Sequence, residues 1–373
     1  MTTDSLYMQR ALQLAANGRG TTYPNPMVGA VIVQNGRVIG EGWHRGPGQS
    51  HAEVDALHNC TESPEGATLY VTLEPCNHFG RTPPCTEAIL KAEIGTVHYA
   101  VADPNPVVAG KGATRLESAG VQVTEGLLKA EAFELNRMFF HFWLKRKPWV
   151  ILKAGMSLDA KLTSPKGESQ WITGEASRTQ VHQLRAEVGA VLAGCGTVAV
   201  DNPRLTCRMD RPVQRQPFKV VLDNRLAIDP DCNLLKEEPE KVIVFCAPDA
   251  PPGKEERLVN LGTKVIRYPQ EHEKKQALPY LLSILSELGV QSVLVEGGSR
   301  VFTSFIEADL VDEYVLYYAP FFIGGTTSLP VYVGAGIDSL VTARRLKIKS
   351  LGGSGEDFYI RAYKEELEQC LPV

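Results

Sequence analysis

Two short segments in the first quarter of the chain combine histidine, glutamate and cysteine at spacings that suit metal chemistry. "QSHAEVDALHNC" contributes His51 and Glu53, and "VTLEPCNHFGRTPPC" contributes Cys76 and Cys85. A neutral imidazole and two thiolates are donors that Zn²⁺ prefers, and three protein ligands leave a fourth position open for water. Glu53 can then stand beside the metal without binding it and exchange protons with that water.

This pattern follows the zinc-deaminase signature, in which H-x-E precedes P-C-x-x-C and the glutamate is a general acid and base. "HAE" and "PC" match, but eight residues separate the two cysteines instead of two. A structural zinc with His78 as fourth ligand is the alternative. Asn25, in "YPNP", either contacts a base edge through its amide or forms an Asx turn. His44 either lines the same pocket or is a surface or core histidine.

The elements that would position these residues alternate between helix and strand. "SLYMQRALQLAANG" predicts an amphipathic helix, and "VGAVIVQNGRVIGEGW" predicts a hairpin with a type I′ turn at Asn35-Gly36. Helices and strands then alternate as far as a basic segment that ends at Pro148. We therefore predict an α/β layered domain over residues 1–147 and a second domain over residues 148–373.

Near-continuous apolar strands separated by helices predict a mostly parallel sheet in the second domain, closed by a hairpin. "SVLVEGGSRVFTSFIEADL" reads as a strand, a Gly-Gly turn and a helix, which either brings backbone N–H groups toward a pyrophosphate or is a simple turn. It lacks G-x-G-x-x-G, so a Rossmann domain is not supported. Arg204 and Arg208 in "DNPRLTCR" either bind phosphate or face solvent.

Composition limits the classes of function. A net charge of −4 disfavours a nucleic-acid partner, and no apolar run reaches membrane-spanning length. The N-terminus lacks the pattern of an export signal, so we interpret the eight cysteines as ligands or core residues of a reduced, cytoplasmic protein. We expect a homo-oligomer whose partners are small molecules.

"NPMVGAVIV", "GWHRGPGQSHAEVDAL", "YVTLEPCNHFGRTPPC" and "VADPNPVVAGKG" together resemble the bifunctional riboflavin-biosynthesis deaminase–reductase family. The likeness continues through "LKAGMSLDAKL" and "LVEGGSRV" and covers nearly the whole chain. It implies a cytidine-deaminase-like α/β/α domain followed by a dihydrofolate-reductase-like α/β domain. It also implies zinc-dependent deamination of 2,5-diamino-6-(5-phosphoribosylamino)pyrimidin-4(3H)-one. NADPH-dependent reduction of the ribosyl chain of 5-amino-6-(5-phosphoribosylamino)uracil to ribityl would follow.

The resemblance also implies roles for individual residues. In the first domain, zinc would be bound by His51, Cys76 and Cys85, with Glu53 as proton shuttle, Asn25 on the pyrimidine, and Arg81 and Thr82 as candidates for the substrate phosphate. NADPH positions match Gly155, Trp171, Thr197, Asp201, Asn224 and the run Gly298, Ser299, Arg300, Val301, Phe302, Thr303 and Ser304. Substrate positions in the second domain match Ser169, Arg185, Leu205, Arg208 and Glu296.

Three details of the second domain stay open at this level. Asn224 stands where the family leads us to expect serine, and Arg225 beside it is a candidate to favour the 2′-phosphate of NADPH. Lys153 and Asp159 could act on the protons of ribose ring opening, although Lys153 could equally be a structural strand residue. The alternatives for the whole chain are a nucleoside or tRNA deaminase with an unrelated appendage and a binding protein with a structural zinc. The cysteine spacing, the net charge and the reductase-like half count against the first, and the intact Glu53 against the second.

Overall fold

The computed structural model describes residues 2–80, 82–106, 108–210, 212–270 and 276–364. The chain divides into two compact units, Met1–Arg146 and Lys147–Val373, a division one residue before the predicted boundary. Among the described helices, none combines the length and the apolar run that crossing a bilayer requires.

The first unit is built on a five-stranded sheet with the order β2-β1-β3-β4-β5. Its strands are β1 (Gly29–Gln34), β2 (Arg37–Trp43), β3 (Thr68–Val71), β4 (Thr96–Tyr99) and β5 (Gln122–Glu125). β1 is antiparallel to β2 and β3, whereas β3, β4 and β5 are parallel. Its helices are α1 (Thr3–Ala16), α2 (Ala52–His58), α3 (Cys85–Lys91), α4 (Lys111–Ser118), α5 (Lys129–Leu135) and α6 (Arg137–Lys145).

Local chemistry explains the first elements. The Thr2 hydroxyl accepts the Ser5 backbone N–H at 3.2 Å and caps α1, whose buried side chains recur at helical spacing. Asn35 and Gly36 adopt φ of 48° and 74°, as the Asn-Gly pair predicts for a hairpin turn. Separate apolar clusters cover the two faces of the sheet: one includes residues of α2, α3 and α4, and the other residues of α1, α5 and α6. The first unit is therefore an α/β/α sandwich.

The second unit contains a nine-stranded sheet with the order β10-β9-β8-β7-β11-β6-β12-β14-β13. Its strands are β6 (Trp149–Ser157), β7 (Ala190–Gly194), β8 (Phe218–Leu222), β9 (Val242–Cys246), β10 (Lys264–Arg267), β11 (Ser292–Val295), β12 (Glu313–Ala319), β13 (Leu346–Ser354) and β14 (Asp357–Lys364). All neighbouring pairs from β10 to β12 in this order are parallel, and β14 and β13 add an antiparallel hairpin.

The helices of the second unit connect these strands. They are α7 (Glu175–Glu187), α8 (Cys195–Asp201), α9 (Asn233–Lys236), α10 (Pro252–Asn260), α11 (Ala277–Glu287) and α12 (Ser299–Glu307), with 3₁₀ turns at Pro239–Lys241 and Leu340–Thr342. Four consecutive strands of the sheet, β8, β7, β11 and β6, share a core with α11 and α12. Polar side chains that follow these strands therefore meet at the carboxyl edge of the sheet, as expected for an open parallel sheet.

Candidate active sites

The predicted metal ligands of the first unit converge on one point. His51 directly precedes α2, Cys76 lies in the loop after β3, and Cys85 is the first residue of α3. His51 Nδ1 is 3.1 Å from Cys85 Sγ and 3.4 Å from Cys76 Sγ, and the two sulfur atoms are 3.5 Å apart. A tetrahedral zinc with ordinary bond lengths holds such atoms about 3.6–3.8 Å apart. The three side chains therefore fit zinc with small adjustments.

The group has the composition of an open rather than a closed zinc site. Among the described residues, the cluster consists of His51, Cys76 and Cys85, and neither Glu53 nor His78 belongs to it. The structural alternative with His78 as fourth ligand thus loses its geometric basis. Glu53 is 4% exposed, and burial raises its pKa to about 7. Its carboxyl group interacts with His51, Cys76 and Cys85, and its role in proton transfer stays a prediction.

Electrostatic interactions among the ligands favour the thiolate form of Cys76. Hydrogen bonds from the Cys85 thiol and from His51 lower the pKa of Cys76 to about 4. The hydrogen bond between the two cysteines raises the pKa of Cys85. The Cys76 sulfur in turn raises the pKa of His51 to about 8. Thiolate is the form in which cysteine binds metals.

Asn25 and His44 form a polar pair next to the zinc ligands. His44 is buried, its Nδ1 donates to the Ser50 carbonyl at 3.1 Å, and its Nε2 accepts from Asn25 Nδ2 at 3.0 Å. The His44 ring packs edge-on against the His51 ring, with centroids 5.5 Å apart. This pairing fixes the orientation of the Asn25 amide, and its predicted contact with the pyrimidine stays a prediction.

The loop between the two cysteines carries both residues that were predicted to contact the substrate phosphate in the first unit. Thr82 places its hydroxyl 3.3 Å from His51 Nε2, against the outer nitrogen of a metal ligand. Its predicted contact with a substrate phosphate stays a prediction. Arg81, the other candidate for that phosphate, lies outside the described residues.

The Cys76 loop is anchored by a carboxylate that sequence analysis missed. Glu74 is 3% exposed, and its Oε1 accepts backbone N–H groups of Gly112 and Ala113 at 3.0 and 3.3 Å. Its Oε2 accepts those of Gly110 and Asp103 at 3.0 and 3.4 Å. A Cβ atom at Gly112 would lie 1.8 Å from the Pro75 carbonyl oxygen, so only glycine permits this approach. Glu74 thereby fixes the backbone two residues before Cys76.

The second unit has a cavity of about 2270 Å³ at the carboxyl ends of β6, β7, β8 and β11. Typical small-ligand pockets are 300–1,000 Å³, so this one has room for a dinucleotide and a second ligand. Nearly all predicted positions line it: Gly155, Trp171, Thr197, Asp201, Asn224, Gly298, Ser299, Arg300, Val301, Phe302 and Ser304 of the cofactor set, and Ser169, Arg185, Leu205, Arg208 and Glu296 of the substrate set.

Two predicted residues are not part of the cavity lining. Thr303 is buried within α12, and its hydroxyl accepts the Val333 backbone N–H at 2.9 Å. Asp159 accepts from the Ser157 hydroxyl at 2.6 Å and from the backbone N–H groups of Ile323 and Gly324 at 3.0 and 2.8 Å. The hydrogen bond from Ser157 and these backbone bonds lower the pKa of Asp159 to about 2. Asp159 thus ties two loops together, in an ionised form that is unsuited to donating a proton.

A buried ion triad forms the polar floor of this cavity. Arg185 contacts the Glu296 carboxylate through two nitrogens at 2.6 and 2.9 Å, and Lys153 Nζ lies 3.0 Å from the same group. Burial alone would raise the pKa of Glu296, but Arg185 and Lys153 hold it well below its usual range. The triad keeps the Lys153 ammonium group at the cavity, and its role in ribose ring opening stays a prediction.

Several described residues between α8 and β8 are held in place beside the triad. Leu205 is buried with a left-handed φ of 54°. The Gln216 amide closes a pair of bonds to the backbone of Cys207 at 2.7 and 2.9 Å, and Arg185 donates to the Thr206 carbonyl at 3.0 Å. Arg208 is thereby directed to the cavity.

Sequence analysis also missed two residues of this cavity. The guanidinium of Arg178 lies over the Trp171 ring, 4.8 Å from its centroid, and His182 contacts Arg208. Both belong to α7, whose pattern reads as an ordinary amphipathic helix. The signal available in the sequence was the spacing of Arg178 and His182 from Arg185, seven and three residues, which puts all three near one helix face.

Comparison with known proteins finds relatives that match almost the whole chain. Residues 1–101 match the model of the cytidine and deoxycytidylate deaminase zinc-binding region, and residues 148–359 match the RibD C-terminal domain. The riboflavin biosynthesis protein RibD of Bacillus amyloliquefaciens is 43% identical, over 97% of each chain.

Two solved structures are similar over almost the full length. A structure of Acinetobacter baumannii RibD has a TM-score of 0.87 and 37% identity, covering 97% of this chain and 98% of that one. The Thermotoga maritima diaminohydroxyphosphoribosylaminopyrimidine deaminase/5-amino-6-(5-phosphoribosylamino)uracil reductase has a TM-score of 0.82 and 35% identity, covering 97% and 99%. The predicted fold class, with its deaminase-like and reductase-like parts, is confirmed.

Proposed function

The chain belongs to the RibD family of bifunctional riboflavin-biosynthesis enzymes and uses zinc and NADPH, and we propose how its residues divide the deamination and the reduction. The deaminase residues would lie within 1–147 and the reductase residues within 148–373. The observation that carries the proposal is the three-ligand group with buried Glu53 beside it, on a chain whose second unit holds a separate, dinucleotide-sized cavity.

In the deaminase unit, zinc supplies Lewis acidity that makes water nucleophilic near neutral pH. Glu53 takes a proton from the water that attacks the carbon bearing the 2-amino group, and then delivers it to the leaving nitrogen, so that ammonia departs. The Asn25 carbonyl oxygen, fixed by His44, accepts an N–H of the pyrimidine. Burial of Glu53 limits the access of bulk water to the proton transfer.

In the reductase unit, NADPH would supply, when bound in the cavity, the hydride for C1 of the opened ribose. Lys153 donates a proton to the ring oxygen as the C1–O bond breaks, and Glu296 keeps the ammonium group in position. Glu296 and Arg185 orient the substrate through the triad, while Ser169, whose hydroxyl donates to Asp201, contacts it from the opposite loop. The run from Gly298 to Ser304, at the start of α12, accommodates the cofactor phosphates.

We also propose a homo-oligomer in a reducing, cytoplasmic environment. β13 forms the edge of the large sheet and exposes apolar side chains, with Ile348 62% and Leu351 66% accessible. Such an edge is normally protected by pairing or by charge. The metal-binding cysteines must be reduced to act as ligands. Light scattering gives the molar mass of the wild type and of a double variant, Ile348→Lys and Leu351→Lys, and so tests the homo-oligomer. A monomeric wild type would contradict it.

A two-step assay on the diaminopyrimidine ribotide tests the division of labour. Purified protein should contain about one zinc per chain, release ammonia without NADPH, and oxidise NADPH only after deamination. Glu53→Gln should abolish ammonia release and keep the zinc, while NADPH oxidation on the deaminated compound continues. Loss of both activities in this variant, with zinc retained, would contradict the assignment of Glu53 to the deaminase step alone.

A further inference from the structure

The His182 ring and the Arg208 guanidinium point two N–H donors at each other. The Arg208 backbone N–H donates to His182 Nδ1 at 3.2 Å, so Nδ1 carries no proton. Burial and the charges of Arg185 and Arg208 lower the pKa of His182 to about 4, so the ring is neutral at pH 7. Its one proton must then be on Nε2.

His182 Nε2 lies 3.2 Å from a terminal nitrogen of the Arg208 guanidinium. Guanidinium nitrogens are donors only, so two N–H groups point into the same space without an acceptor between them. The other terminal nitrogen of Arg208 donates to Thr206 Oγ1 at 3.1 Å. Within the described part of the chain, no carboxylate pairs with Arg208, whereas the nearby Arg185 and Arg204 pair with Glu296 and Glu237.

We propose that His182 Nε2–H and the Arg208 guanidinium together form a seat for the phosphate monoester of the reductase substrate. One phosphate oxygen placed between the two nitrogens accepts from both and removes the opposition of donors. Phosphate suits the pair because charge-assisted N–H···O bonds are the strong ones, and a neutral histidine adds a donor without further charge. His182 is then a binding residue for the known reaction, additional to the five predicted substrate contacts.

The same anion chemistry also occurs in the phosphates of NADPH, but the surroundings favour the substrate. His182 lies on α7 one turn before Arg185, and its backbone carbonyl accepts from the Cys207 thiol at 3.2 Å, so it contacts the segment that carries Leu205 and Arg208. The predicted cofactor phosphate positions follow β8 and β11 instead. The inference rests on the proposed placement of the reductase substrate in this cavity.

Two substitutions separate the functions of the two ring nitrogens. His182→Asn keeps an acceptor near Nδ1 for the Arg208 backbone and removes the distal donor. His182→Gln restores a donor near Nε2. The matched control is Gln183→Ala, since Gln183 is the exposed next residue on the same helix. Ammonia release by the deaminase unit reports that each variant of the full chain is intact.

The assay measures NADPH oxidation with the deaminated ribotide and with its dephosphorylated riboside. His182→Asn should raise the KM of the ribotide about ten- to hundredfold with little change in kcat, and weaken competitive inhibition by inorganic phosphate. The riboside kcat/KM and the NADPH KM should not change, and His182→Gln should recover part of the ribotide affinity.

Three results would overturn the phosphate seat. They are an equal loss for ribotide and riboside, a shift confined to the NADPH KM, or an unchanged ribotide KM in His182→Asn. An intact wild type that oxidises no NADPH with either compound would instead refute the proposed reductase function.

Discussion

Replacing Glu74 by glutamine should destabilise the deaminase unit far more than loss of a surface carboxylate would. Each carboxylate oxygen of this buried side chain accepts two backbone N–H groups, at 3.0–3.4 Å. Glutamine retains one oxygen and turns an NH₂ group toward the other pair, so two buried donors lose their acceptor. At about 1–3 kcal/mol for each, the free energy of unfolding should fall by about 2–6 kcal/mol.

The consequence for the metal follows from the position of Cys76, two residues after Glu74. We expect faster zinc release to a colorimetric chelator and a lower denaturant midpoint for loss of ammonia release. NADPH oxidation on the deaminated substrate is the internal reference and should keep its midpoint.

The control is Glu87→Gln. This carboxylate on α3 is 53% exposed and lies 3.3 Å from Arg115. Loss of such an exposed pair should change stability by no more than about 1 kcal/mol. If Glu74→Gln matched this control in zinc release and midpoint, the argument that the four backbone bonds hold the Cys76 loop would be wrong.

Three further predictions concern the reductase unit. Arg225 is exposed and lines the cavity, so Arg225→Ala should raise the KM for NADPH about tenfold and leave that for NADH unchanged; an unaltered preference refutes a 2′-phosphate contact. Glu296→Gln leaves Lys153 and Arg185 buried with weakened pairing, so the free energy of unfolding should fall by about 3–5 kcal/mol and NADPH oxidation should be lost. Normal thermal stability in calorimetry together with normal NADPH oxidation would contradict this. Burial raises the pKa of Asp312 from 3.8 to about 7, so the folded state holds a proton that the unfolded state loses, and stability falls as pH rises from about 4 to 7. Asp312→Asn should therefore gain thermal stability over the wild type at pH 7.5 and not at pH 4, and a pH-independent difference would count against this pKa.

The zinc site was predictable because its residues lie in two short sequence motifs. His51 and Glu53 are two residues apart, Cys76 lies in the loop after β3, and Cys85 is the first residue of α3. The alternation of strands and helices likewise predicted both sheets and the closing hairpin of β13 and β14. The family resemblance supplied most of the cofactor and substrate positions, which periodicity alone did not distinguish from turns and surface residues.

The contacts that the sequence did not reveal join residues far apart in the chain. Arg185 and Glu296 are separated by 111 positions, and the donors to Glu74 lie 29–39 positions away. No spacing rule connects such residues before the fold is known. Thr303 belongs to the run after Gly298 that the family resemblance implies, but one face of a helix in contact with a cavity must turn away from it.

The left-handed backbone at Leu205 has a consequence for binding. A leucine in this conformation costs about 1–2 kcal/mol, so the isolated segment would not choose it, and burial of the side chain with the Gln216 bonds must hold it there. The ordering of this loop is therefore completed when the unit folds. A phosphorylated ligand meets donors that are already preorganised and loses little affinity to freezing the chain.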